Sequence, residues 1–194
     1  MKNLVRELRP ALVATAVLTV LLCVVYPVVV WAIAQTLFPS QANGSLLFNS
    51  SGKTIGSELI GQPFTAVRYF HPRPSAAGNG YDGASSGGSN LGPLSLKLID
   101  AVSQRVANYR EINGVPASVA VPADAVTASA SGLDPHISLA NAKLQANRVA
   151  QARDIEVSRV IGLIEANTDS KALGILGEEG VNVLMLNLAL DMEH

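Results

Sequence analysis

The run ALVATAVLTVLLCVVYPVVVWAIA, Ala11 to Ala34, is 24 residues long and carries no charge. As an α-helix at about 1.5 Å per residue it reaches roughly 36 Å, enough to cross a hydrocarbon core of about 30 Å with some tilt. This block constrains the chain more than any other feature. It reads as a transmembrane helix, and the rest must fold as a separate body. Pro27 lies inside it, and a bilayer helix tolerates proline as a local adjustment of the backbone ladder. Tyr26 and Trp31 lie toward the far end, where an aromatic interface belt sits.

Charge sets the expected orientation. Lys2, Arg6 and Arg9 precede the block, opposed only by Glu7, and the next charge of either sign is Lys53. The positive-inside rule therefore predicts residues 1–10 in the cytoplasm, 11–34 in the membrane and 35–194 outside, a single-pass arrangement. A cleaved signal peptide is the rival reading, with Ala32-Ile33-Ala34 as a small-residue site. Its apolar core of about 7–15 residues is shorter than this one, so an uncleaved anchor in contact with lipid is expected. The single cysteine, Cys23, falls in the span, so no intrachain disulfide can form. Residues 35–194 carry 11 Lys+Arg against 14 Asp+Glu. That mildly acidic domain has no basic tract and is a poor surface for nucleic acid or anionic lipid.

The outer part mixes strand and helix patterns without a βαβ rhythm, which predicts an α+β fold. Gly44–Gln62 reads as short strands around an Asn-Ser-Ser-Gly turn. Phe64–Phe70, FTAVRYF, is aromatic and β-branched and reads as a further strand. A helix follows, with Ile99, Val102, Val106 and Tyr109 at helical spacing and an exit at Asn113-Gly114. A strand is expected near Ala125–Ala128. Ser138 is the expected N-cap of a helix over 139–153, with Leu139, Ala142, Ala146 and Val149 on its core face. Asn141, Gln145 and Arg148 form a polar stripe on another face. A helix over 156–167 carries Val157, Val160, Ile161 and Ile164. NVLMLNLALD alternates Leu184, Leu186, Leu188 and Leu190, as a half-buried strand does.

Several patterns imitate chemistry. Gly83-Ala84-Ser85-Ser86-Gly87 spells G-x-S-x-G, and Asp134 and His136 follow in hydrolase order, which keeps a serine hydrolase as an alternative. The pattern sits inside a Gly/Ser-rich loop rather than between a strand and a helix. Ser50-Ser51-Gly52-Lys53 spells S-x-x-K within an expected turn. Glycines near Gly87-Gly88 could make a backbone nest for phosphate, so a nucleotide-binding module is a second alternative, although no P-loop lysine follows. His71, His136 and His194, with Asp82 and Asp134, show no metal-ligand spacing, and His136 is expected in a turn and cap. No metal and no catalytic set is expected, and the carboxylates do not gather as they would around potassium.

The connection from His71 to Pro93 is long for a compact domain, where such a stretch is usually either disordered or functional. It contains Arg73-Pro74-Ser75-Ala76, Tyr81-Asp82 and Ser86-Gly87-Gly88-Ser89-Asn90-Leu91-Gly92-Pro93. With Ser131-Gly132-Leu133-Asp134-Pro135-His136-Ile137-Ser138, Val181-Asn182-Val183-Leu184 and Leu186–Asp191, it resembles the C subunit of the Kdp-type potassium-transporting ATPase of bacteria. The three separated motifs and the N-terminal span cover the whole chain.

The resemblance implies a non-catalytic accessory subunit of an ATP-driven, high-affinity potassium uptake complex in the bacterial inner membrane. Its implied partners are a channel-like subunit, a P-type ATPase subunit and a small single-span subunit. The chain has no D-K-T-G-T and so is not the ATPase. Implied roles are assembly, ion access and raising the ATP affinity of the catalytic subunit, so that ATP is met through that subunit. The expected contact residues are Arg73, Ser75, Tyr81, Asp82, Gly87, Gly88, Ser89, Asn90 and Gly92, with Asp134, His136, Gln145 and Arg148 from the second motif and the helix after it. The glycine-rich loop, with the amides of Gly87, Gly88 and Ser89 free as donors, is expected to pack on the channel-like subunit or against the polar stripe of the 139–153 helix. The plainer alternative is that it only ties strand to helix.

Overall fold

The computed structural model describes residues 2–171 and 173–193. The chain divides into two compact units, one through Ile55 and one from Gly56. In the first, α1 (Lys2–Val20) runs through a single π-helical turn, Leu21–Val25, into α2 (Tyr26–Leu37). Among the described residues one helix is long and apolar enough to cross a membrane, Arg6–Leu37. The π-turn has a local cause. Pro27 has no N–H to give, and the Tyr26 N–H reaches back five residues to Leu21 O. A short helix, α3 (Pro39–Ala42), then leads to β1 (Leu46–Phe48). Asn49 closes the expected turn, its Oδ1 accepting from the backbone N–H groups of Ser51 and Lys53 at 3.1 and 2.9 Å. Strand β2 (Thr54–Ser57) carries the chain into the second unit.

The second unit is α+β, with helices α4 (Leu96–Asn113), α5 (Ala123–Val126), α6 (Leu139–Arg153), α7 (Val157–Ala166) and α8 (Val183–Asp191). Its sheet has three very short strands in the order β3 (His136–Ile137), β5 (Gly180–Asn182), β4 (Thr168–Asp169). Both neighbours run antiparallel to β5, pairing Ile137 and Thr168 with Val181 from opposite sides. Phe70, Ile137, Val149, Val160, Ile164, Val181, Leu186 and Leu190 form the centre of the core. Ser138 caps α6 as expected, accepting from the Asn141 N–H at 3.1 Å. Ala142, Ala146 and Val149 are buried on that helix. Gly114 ends α4 in the left-handed conformation at φ 63°, which glycine adopts without cost. On α4 the expected apolar face is only half used, since Tyr109 is buried but Ile99 is exposed.

Three expectations fail. Residues near Ala125–Ala128 begin as a helical turn, α5, rather than a strand. Leu184–Leu190 is helix, not strand. Val183, Leu186, Asn187 and Leu190 are buried, a spacing of three and four, and Asn182 caps the helix by accepting from the Met185 N–H at 3.2 Å. Phe64–Phe70 lies in no sheet and turns at 66–69, the Tyr69 N–H donating to Ala66 O at 3.0 Å, while side chains bond much of its remaining backbone.

Candidate functional site

The segment 67–71 is held by two helices through their polar side chains. Asn187 of α8 accepts from the Phe70 N–H at 2.8 Å and donates to Phe70 O at 3.0 Å. Gln145 of α6 does the same for His71, at 2.8 and 3.0 Å. Each carboxamide thus does the work of a peptide group on a neighbouring strand. Arg148 Nη1 donates to Val67 O and, at 2.9 Å, to Tyr69 O. Arg153 Nε donates to Arg68 O at 2.8 Å, and its Nη2 pairs with Asp191 at 2.7 Å.

The stripe Asn141, Gln145, Arg148 is therefore buried, not a free face. It forms one continuous network. Arg148 donates to Gln145 Oε1 at 2.8 Å and to Asn113 Oδ1 at 2.8 Å. Gln145 donates to Asn141 Oδ1 at 2.9 Å, and Asn141 donates to Asp124 at 2.9 Å. No carboxylate among the described residues pairs with Arg148. Burial lowers its pKa to about 10, which still leaves it charged at neutral pH. Burial, helped by the Arg148 charge, lowers the His71 pKa. A neutral His71 donates from Nε2 to Ala66 O at 3.2 Å.

The glycine-rich loop is ordered on a different surface, the segment 129–134. Arg73 Nη1 pairs with Asp134 at 2.7 Å. Ser75 Oγ donates to Gly132 O at 2.6 Å and accepts from the Tyr81 N–H at 2.8 Å. The Tyr81 hydroxyl donates to Arg73 O, and burial lifts its pKa to about 12. The Gly87 N–H donates to Ser131 O at 2.8 Å, so it is not a free donor as expected. A Cβ on Gly88 would stand 3.1 Å from Ala130 O. Gly132 is the tightest of these positions. It has φ +67°, and a Cβ there would meet Ala77 N and Gly87 O at 2.6 Å. Asp82 folds onto its own loop, accepting from the Ala84 N–H at 2.9 Å. Ser89, Asn90 and Gly92 lie farther along, exposed. The structure thus joins Arg73, Ser75 and Gly87 to the second motif, sets Gly88 against Ala130 just before it and turns Tyr81 back onto Arg73 and Ser75, and leaves Gln145 and Arg148 to hold the segment before the loop.

His136 belongs to strand β3 rather than to a turn and cap. Its Nε2 meets Asp169 at 2.8 Å and its Nδ1 lies 3.6 Å from Asp134. These carboxylates, Asp134 foremost, raise its pKa against the effect of burial. Burial works against the charge on Asp134, but the bonds from His136 and Arg73 outweigh it, and its pKa is lowered. Ser85 sits on the exposed loop, while Asp134 and His136 are engaged with Arg73 and Asp169. Among the described residues no three His, Cys, Asp or Glu side chains are placed to hold a metal ion. His194 lies outside the described residues.

Two clefts flank this assembly. One, of about 400 Å³, is bounded by Phe64, His71, Arg73, Tyr81, Arg105 and Tyr109, with no carboxylate in its lining. The other, of about 340 Å³, is lined by Arg73 and His136 with Asp124, Asp134, Asp169, Glu178 and Glu179. Sequence reasoning missed Asn187, Arg153, Asp169 and Gly61. Asn187 carried a signal, as the one polar residue inside an apolar run. Gly61 is required because a Cβ there would lie 2.7 Å from Asp134 O.

Comparison with known proteins covers the same span as these contacts. A family model described as "KdpC: K+-transporting ATPase, c chain" matches residues 8–192. The "Potassium-transporting ATPase KdpC subunit" of Mycobacterium tuberculosis (strain H37Rv) is 59% identical over 186 residues, 96% of this chain and 98% of that one. The proteins of the same name from Rhodospirillum rubrum and Myxococcus xanthus are each 54% identical, over 97% and 92% of this chain and 96% and 83% of their own. With its three separated motifs bonded into one assembly and a match over nearly its whole length, the chain belongs to the family of the c chain of the K+-transporting ATPase.

Proposed function

We propose that the chain is a non-catalytic accessory subunit of an ATP-driven potassium uptake complex, acting in assembly and ion access. One observation carries this reading beyond family membership. The polar groups of the motifs are turned inward, onto Ser131, Gly132, Asp134 and the 67–71 backbone, and hold a loop rather than a reactive centre. A nucleotide site in the glycine-rich loop is disfavoured, because the Gly87 N–H is already bonded. The partners are a channel-like subunit, a P-type ATPase subunit and a small single-span subunit. The charge distribution supports a cytoplasmic N-terminus and an α+β unit outside the inner membrane. ATP lies on the other side, so any effect on ATP affinity is a coupling free energy carried through the complex.

The test is topology. Single cysteines at Ser51, Ala84 and Met192, in a Cys23→Ser background, should react with a membrane-impermeant thiol reagent on intact cells. Met192 is 80% exposed, whereas Glu193 pairs with Arg159 at 2.6 Å and is better left alone. Protection of all three until the membrane is opened would reverse the orientation and return nucleotide contact to consideration.

A further inference from the structure

The connection between β4 and β5 ends in an apolar tip. The two strands are antiparallel neighbours, with Asp169 opposite Gly180. Leu173 is 89% exposed, Ile175 79% and Leu176 59%. The turn is tight, with the Gly174 N–H donating to Lys171 O at 2.9 Å. Leu173 has φ +54°, a left-handed conformation that an L side chain other than Asn or Asp rarely takes. A turn that faced only water would favour glycine or asparagine at that position and polar residues beside it. Three aliphatic side chains displayed within four residues of such a turn mark an interaction surface.

The charges beside the tip choose among occupants. Glu178 and Glu179 follow after Gly177, both exposed, and line a cleft in which Arg73 and His136 pair with Asp134 and Asp169, so the two glutamates set the acidic rim. Lys171 is the one cation between β4 and β5. An acidic rim is repelled by anionic lipid headgroups, and the tip has neither the aromatic residues nor the basic cluster of a membrane-surface anchor. A second copy of the chain would bring the same acidic rim against its own, an unfavourable pairing of like charges. A protein partner with an apolar seat and a basic rim satisfies both features.

We infer that Leu173, Ile175 and Leu176 form a plug that docks in an apolar seat, ringed by basic side chains, on another subunit of the complex. This rests on the accessory-subunit reading above. The experiment uses the tagged full-length chain expressed with the other subunits and captured from membranes in mild detergent. Leu173→Asp/Ile175→Asp should cut recovery of the other subunits at least tenfold while leaving the thermal midpoint of the chain unchanged. Glu178→Lys/Glu179→Lys should weaken recovery several-fold. A Leu173→Trp reporter in a Trp31→Phe background should show blue-shifted emission in the complex that brominated lipid does not quench. Wild-type recovery by the double aspartate variant overturns the docking proposal and leaves the accessory role standing. Quenching by brominated lipid overturns it in favour of the bilayer. Failure of the unaltered chain to recover any other subunit overturns the accessory reading itself, and the proposal with it.

Discussion

Replacing Arg148 with methionine removes one of the two α6 cations that hold the 67–71 segment, Arg153 being the other. Arg148 is 8% exposed and bonds Val67 O, Tyr69 O, Asn113 Oδ1 and Gln145 Oε1. Gln145 Oε1 keeps a donor in the variant, from the His71 N–H. The other three acceptors lose theirs, at about 1–3 kcal/mol each when buried. Against this stands the relief of removing a buried charge with no carboxylate partner, worth several kcal/mol. The net expectation is a loss of about 2–4 kcal/mol. At about 2–4 °C per kcal/mol for a unit of this size, the midpoint falls by roughly 5–15 °C. The assay is thermal unfolding of the full chain in detergent, followed by near-ultraviolet circular dichroism so that the apolar helix does not dominate. Arg148→Lys should fall between the two, because a single ammonium cannot span four acceptors. A midpoint within 2 °C of wild type would show that water or backbone movement satisfies the freed carbonyls, and the clamp argument would be wrong. The His71 pKa gives an internal check. Burial is its main depressing cause and the Arg148 charge the second, so it should rise only part of the way back.

Two glycines should behave oppositely. Gly132→Ala puts a Cβ 2.6 Å from the backbone of Ala77 and Gly87 at φ +67° and should cost at least about 2 kcal/mol, whereas Gly87→Ala meets nothing within 4 Å and should stay within about 0.5 kcal/mol. Equal midpoints for the two variants would mean that the loop does not pack on residues 129–134. The histidines give a pH signature with opposite signs. His136 has a raised folded pKa, so its contribution is full below 6.5 and is lost as pH rises through the folded value. His71 has a lowered one, so its contribution is present above 6.5 and is lost as pH falls through the folded value. Midpoints measured against pH should therefore fall less steeply on the alkaline side for His136→Gln than for wild type. Parallel curves would refute the Asp134–His136–Asp169 pairing.

Much of this fold is legible in the residues alone. An uncharged run of 24 residues fixes a long apolar helix, because no other structure satisfies its backbone without water. Ser138 and Asn113-Gly114 mark helix ends through local capping chemistry, which depends on few distant contacts. Asn49 closes its turn for the same reason. The Leu184–Leu190 segment could not be decided locally, since its leucines satisfy a period of two and also include pairs four apart. The helix prevails because it buries Leu186 and Leu190 together and brings Asn187 to the Phe70 backbone. Phe64–Phe70 shows the converse. Its β-type residues suggest a strand, yet the chain turns at 66–69, and which groups complete the hydrogen bonds of 67–71 is a long-range matter, settled by Asn187, Gln145, Arg148 and Arg153 more than seventy residues away. The polar stripe on α6 was likewise visible as a stripe, and only its neighbours made it buried. Sequence by itself determined the local elements whose signals lie within one turn of chain, along with the motifs that point to the family. Tertiary structure decided which surface receives the glycine-rich loop and which polar side chains are interior, because those depend on contacts between residues far apart in the chain.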